Sequence, residues 1–107
     1  MNKELRNKIK NKFNGRCSYC GIKLKDKYHV DHVMAKNRGG ENIEENYYPA
    51  CISCNIRKSD YSIEEFREQL KYDIIQLRRD SSKFRMLERY NILNIDDTEI
   101  KFYFEIL

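Results

Sequence analysis

The sequence has no apolar run approaching the roughly 18 residues that a membrane span needs, and Met1-Asn2-Lys3-Glu4-Leu5-Arg6 lacks the apolar core of a secretion signal. These absences lead us to expect a cytoplasmic protein with no membrane partner. The chain also shows no internal repeat and no low-complexity linker, and its only proline is Pro49, so its 107 residues are expected to form one domain. Histidine is scarce, being confined to His29 and His32. Because cytosolic thiols stay reduced, the four cysteines point to metal rather than to disulfides.

What is present supports an ordered fold. Charged residues make up 36% and the mean hydropathy is -0.86, yet 40% hydrophobic and 12% aromatic residues are enough for a core. A chain this short buries a modest fraction of its apolar surface, so a metal staple would help it. Charge is uneven. Residues 1–61 carry 13 Lys and Arg against 7 Asp and Glu, a net +6, whereas residues 62–107 carry 8 against 10, a net -2. The first part is the better polyanion-binding surface, although a merely solvated basic face would have the same composition.

Leu5, Ile9 and Phe13 recur at a spacing of four among Lys3, Arg6, Lys8, Lys10 and Lys12, which predicts an amphipathic helix over 3–13 closed by Asn14-Gly15. Packing with soluble charges is the plain reading; phosphate contact by some lysines is the functional one. Next come Cys17-x-x-Cys20-Gly21 and, after a separation long enough for a hairpin, Cys51-x-x-Cys54. Each pair forms a knuckle whose sulfurs face one metal while backbone N–H groups point at them, and two such pairs suit tetrahedral zinc. Four protein ligands leave no open position, so this zinc is expected to be structural; a redox dithiol or another metal such as iron is the alternative.

Tyr28 to Val33 has strand composition. Alternation puts His29 and Asp31 on one face and Val30 and His32 on the other, so Asp31 and His32 converge only where the strand ends or bends. The polar loop after it, with Gly39-Gly40 able to take positive φ, provides that departure. Cys51 and Cys54 open a short helix on which Asn55 and Lys58 share a face. If that helix packs on the strand, Asp31, His32, Asn55 and Lys58 meet in one cleft, in outline a metal-dependent phosphodiesterase.

Beyond residue 61, Ser62-x-x-Glu65 is a capping-box signature, and Ile63, Phe66, Leu70, Ile74 and Leu77 predict a helix over 63–79. Ser81 or Ser82 starts another, carrying Phe84, Leu87 and Tyr90 inward, until residues 91–97 break the pattern. Ile100, Phe102, Phe104 and Ile106 alternate with polar residues and Tyr103, which predicts a strand with one apolar face. That face packs on the 63–79 helix or forms a homodimer or partner surface.

The pattern Asp31-His32-Val33, Gly39-Gly40, Asn46 and Cys51-x-x-Cys54-Asn55-x-x-Lys58, preceded by Cys17-x-x-Cys20, resembles the HNH endonucleases of the zinc-stapled ββα-metal group over about residues 17–59. The resemblance implies that His32 is the general base, that Asp31 and Asn55 give oxygen ligands to a catalytic divalent ion, and that Asn46 restrains the loop between two strands. Ala35 stands where the family often has proline, which loosens the strand exit but removes no chemical group. His29 would orient Asp31, contact phosphate or be structural. Arg38, Arg57 and Lys58 are candidate phosphate contacts, Lys58 the best placed.

General chemistry is consistent with these roles. Mg²⁺ or Mn²⁺ prefers oxygen ligands and keeps waters, and an imidazole of pKa about 6.5 accepts a proton from water near neutrality. The expected architecture is α+β: a zinc-stapled ββα-metal core over 1–61, with its N-terminal basic helix, and a helical and β-strand extension over 62–107 packed on it. The expected function is divalent-metal-dependent hydrolysis of DNA phosphodiesters, with duplex DNA as the expected substrate. The rival is a non-catalytic zinc module that binds DNA or protein, which needs the cysteines but not Asp31, His32 and Asn55 together.

Overall fold

The computed structural model describes residues 1–95 and 99–107, which fall into two compact units, Met1–Ile63 with Lys101–Leu107 and Glu64–Ile100. Among the described residues no helix is long and apolar enough to cross a membrane.

In the first unit, α1 (Lys3–Lys10) starts where Asn2 Oδ1 accepts the Leu5 N–H at 2.8 Å, satisfying one donor of the first turn. A 3₁₀ turn over Asn11–Phe13 extends it, and Asn14 and Gly15 end it at φ 61° and 72°, a left-handed exit suited to these two residues. Ile9 is fully buried, and Arg6 and Lys12 of the basic face are used internally. The Arg6 guanidinium donates to Tyr28 O and lies over the Tyr28 ring, and Lys12 Nζ donates to Glu44 O at 2.9 Å and Tyr47 O at 2.8 Å. These contacts favour the packing role for α1.

β1 (His29–His32) pairs antiparallel with β2 (Tyr47–Ala50), in register His29 with Ala50 and His32 with Tyr47. The pattern found β1 but gave β2 no bounds: Tyr47-Tyr48-Pro49-Ala50 has no alternation, and proline can enter a sheet only where its missing N–H is not needed. The Pro49 carbonyl instead accepts from the Ser18 N–H at 2.9 Å and hydroxyl at 2.7 Å, tying β2 to the first cysteine knuckle. α2 (Ile52–Lys58) follows β2 and packs on β1. Its first residue is preceded by Cys51, whose Sγ accepts the Cys54 N–H at 3.4 Å as the helix cap.

The alternating end of the chain is not a strand. Tyr103–Glu105 is a 3₁₀ turn, because its backbone is engaged by the knuckle: Tyr103 N–H donates to Tyr19 O at 3.0 Å and Phe104 N–H to Ser18 O at 2.9 Å. The Phe102 N–H donates to Glu105 Oε1 at 2.9 Å, which holds the turn. Phe102 and Phe104 pack their rings against Tyr19, and Phe104 also against Tyr48. The predicted strand edge for a homodimer is therefore not formed, and these last residues belong to the first unit.

The second unit is helical. α3 (Ile63–Asp80) begins directly after Ser62, where the capping signature puts it, and buries Phe66 and Arg67. α4 (Ser82–Arg89) is capped by Ser81, whose hydroxyl accepts the Phe84 N–H at 3.1 Å. Phe84 is buried, but Leu87 and Tyr90, expected inside, are exposed. Eight residues give α4 little more than two turns, and Tyr90 already lies beyond them as its C-terminal cap. The expected break over 91–97 lies partly outside the described residues.

Candidate functional site

Two knuckles bring the four cysteines together. All four Sγ atoms lie within 4.8 Å of one another, and Cys20 and Cys51 are 3.8 Å apart, with no disulfide among them. Tetrahedral zinc with Zn–S bonds of about 2.3 Å requires sulfurs about 3.8 Å apart, so the cluster fits a structural zinc site with little contraction. The knuckle N–H groups behave as expected: Tyr19 N–H points at Cys17 Sγ and Cys54 N–H at Cys51 Sγ, each at 3.4 Å. The thiols cannot all ionise unaided. A hydrogen bond from the Cys54 thiol draws Cys17 down to about 4. That same bond, reinforced by burial, holds Cys54 far above the ordinary thiol range. A dication is what would allow four thiolates at once.

A second group of polar side chains lines an open cleft of about 480 Å³ at the end of β1, with Asp31, His32 and Asn55 beside Ala35, Lys36, Asn37, Ser59 and Asp60. Asp31 and His32 both line this cleft, and β1 stops at His32. α2 carries Asn55 and Lys58 to β1, as the shared helical face requires.

Asp31 is held from two sides. The Tyr19 hydroxyl donates to its Oδ2, and Lys58 Nζ sits 3.1 Å from Oδ2 and 3.4 Å from Oδ1. Burial pushes its carboxyl above the usual range, against the opposing pull of the Tyr19 hydroxyl and the Lys58 ammonium. Tyr19 itself is driven far up by burial and by the negative charge of Asp31, so it stays a protonated donor. His32 Nε2 lies 2.9 Å from Asn42 Oδ1, which can only accept, so Nε2 is the donor of this pair. Asn55 Nδ2 donates to His29 Nδ1 at 2.7 Å, leaving Asn55 Oδ1 for another partner.

Two expectations change here. Lys58 is completely buried, and its ammonium also donates to His32 O at 3.1 Å, so it is not the exposed phosphate contact that its charge suggested. The helical face that brings it to Asp31 also removes it from solvent. His29 meets Asn55 rather than Asp31, because α2 lies over that face of β1. Arg38 and Arg57 are exposed.

Asn46 does not line the cleft and works on the loop. Its Oδ1 accepts the Met34 N–H at 2.8 Å, and its Nδ2 donates to Met34 O and Glu41 O, both at 3.0 Å. Gly39 takes φ 89°, whereas Gly40 is required for closeness: a side-chain carbon there would lie 1.8 Å from the Met34 carbonyl oxygen. Tyr19 and Asn42 were not anticipated as site residues. Tyr19 had a signal in its place inside the first knuckle, but Asn42 had none beyond lying in the loop.

A two-stranded hairpin running into a helix, stapled by four cysteines at two knuckles, is a zinc-type ββα core. Residues 17–61 match the family model described as HNH endonuclease. It is similar to a Bacillus subtilis (strain 168) protein named "SPbeta prophage-derived putative HNH endonuclease YoqL", 39% identical over 71 residues and 55% of this chain. The chain spans 30% of that relative's length.

Proposed function

We propose that the protein is a divalent-metal-dependent HNH endonuclease that hydrolyses phosphodiester bonds of DNA. The observation that carries this reading is the cleft where Asp31, His32 and Asn55 meet at the end of β1. A zinc module that only binds DNA needs the four cysteines but has no use for a carboxylate, an imidazole and an amide lining one cleft.

The donor set suits a hard cation. Among the described residues Asp31 Oδ1 is contacted by Lys58 at 3.4 Å and keeps lone-pair capacity, and Asn55 has its amide nitrogen occupied by His29 while its oxygen is an acceptor. One carboxylate and one amide oxygen leave room for waters and phosphate oxygens. Mg²⁺ or Mn²⁺ bound there supplies stabilisation of the charge that builds on the phosphoryl oxygens and the leaving oxygen. His32 takes the proton of the attacking water on Nδ1, while Asn42 holds the proton already on Nε2. The resemblance to the HNH endonucleases implies that cleavage leaves 5′-phosphate and 3′-hydroxyl ends. The exposed Arg38 and Arg57, within a stretch of net +6, serve the DNA backbone.

Nicking of supercoiled plasmid by zinc-loaded protein tests the reading. Added Mg²⁺ or Mn²⁺ gives nicks, and His32→Ala slows them by about 10² or more, the scale of a lost general base, with DNA binding kept. Intact DNA binding without cleavage across several divalent ions would establish the non-catalytic zinc module instead.

A further inference from the structure

Tyr19 lies between Cys17 and Cys20 in the first knuckle, yet its hydroxyl reaches the carboxylate that lines the cleft. Both ends of that contact are buried, Tyr19 being 3% and Asp31 4% exposed. The ring is fixed by edge contacts with Phe102 and Phe104, at centroid distances of 5.4 and 6.3 Å, and its N–H by the Cys17 sulfur. The Tyr19 carbonyl accepts the Tyr103 N–H at 3.0 Å, so the last residues of the first unit clamp the same knuckle.

We propose that Tyr19 is a positioning residue that couples the cysteine cluster to the catalytic site, by holding Asp31 Oδ2 so that Oδ1 is presented to the divalent ion. The proposal rests on the nuclease reading and adds to it. Asp31 has two donors of different character. Lys58 alone can pair with either oxygen or both, because an ammonium is a point charge on a flexible stem. The phenol hydroxyl stands on a rigid ring and donates to Oδ2, which breaks that symmetry. Carboxylate ligands are commonly oriented by an outer hydrogen bond, and loss of such a partner typically costs about 10–100-fold in metal affinity or activity. The knuckle that the metal would order thus sets the rotation of Asp31, and the zinc contribution to function runs through Tyr19 as well as through the placement of α2.

The test is Tyr19→Phe, which keeps the ring and its packing and removes one oxygen. Mn²⁺ binding to the zinc-loaded protein is titrated by electron paramagnetic resonance, with Asp31→Ala defining the signal that belongs to the cleft. Plasmid nicking is followed over a range of Mn²⁺ concentrations alongside zinc content. The expected result is full zinc content, an Mn²⁺ affinity lowered about 10-fold or more, and nicking restored in part by excess Mn²⁺. Unchanged Mn²⁺ affinity in Tyr19→Phe, with wild type binding and nicking, overturns the coupling alone. Loss of zinc from the variant overturns it too, by making Tyr19 a structural residue. Wild type that neither binds Mn²⁺ nor nicks overturns the nuclease reading and the coupling together.

Discussion

Asn55 on α2 donates through Nδ2 to His29 Nδ1 on β1, at 2.7 Å across 26 positions of sequence. Because Nδ1 accepts, the His29 proton lies on Nε2, and the amide of Asn55 is fixed with its oxygen away from the imidazole. The bond thus chooses which end of Asn55 is offered to the cleft.

His29→Ala is therefore expected to lower nicking about 10-fold or more, on the scale of a lost outer partner, while leaving zinc content and DNA affinity unchanged. His29→Gln, whose side-chain oxygen can accept from Asn55, should recover part of the loss. DNA binding measured against salt separates this from a phosphate contact. A slope of log affinity on log salt that becomes shallower by about 0.9 in His29→Ala would put His29 on the DNA backbone instead.

Lys58 gives the opposite outcome from a surface lysine. Its ammonium is wholly buried between Asp31 and His32 O, so Lys58→Ala leaves a buried carboxylate without its cation. Breaking such a pair costs about 3–5 kcal/mol, to be read as a lower midpoint in urea unfolding. The salt slope of DNA binding, measured where the variant is folded, should not move. Arg38→Ala and Arg57→Ala, both exposed, should each flatten that slope by about 0.9 with little change in unfolding midpoint.

These contrasts mark where the sequence was readable. The cysteine spacings could be read directly because each knuckle carries local chemistry, and helical spacing was enough to put Asn55 and Lys58 on one face of α2 against β1. Burial of Lys58 was not legible, since charge is visible in a sequence but the packing of α2 over β1 is not. The alternation at 100–106 misled for a related reason. A period of two reports an apolar face only if a strand partner exists, and here the backbone of Tyr103 and Phe104 bonds to the knuckle loop. Asn42 and Tyr19 carry ordinary polar groups whose roles arise only from the long-range partners His32 and Asp31.

Asn46 predicts a local loosening. Its side chain makes three hydrogen bonds, to the Met34 N–H, Met34 O and Glu41 O, and so closes the loop between β1 and β2. Asn46→Ala leaves those exposed backbone groups to water, at about 0.5–1.5 kcal/mol for each bond lost. Amide hydrogen exchange should accelerate at Met34 and along residues 34–46 while α1 keeps its protection. Asn46→Asp retains the acceptor for Met34 N–H and loses both donors, so it should fall between wild type and alanine. Equal protection in all three proteins would show that the glycine turn closes the loop without Asn46.

Cys51 does two things that one substitution can separate. Its sulfur belongs to the four-cysteine cluster, and it also caps α2 by accepting the Cys54 N–H at 3.4 Å. Serine is a good helix cap but does not offer the thiolate that structural zinc needs, so Cys51→Ser removes the ligand and keeps the cap. Because metal binding is coupled to folding, the variant should lose zinc and melt at a lower temperature, and chelator should lower the wild-type midpoint toward the same value. Zinc should also leave wild type as the pH falls, since protons compete for the thiolates. If Cys51→Ser keeps a full equivalent of zinc and melts like wild type, the cluster is not the staple of this fold.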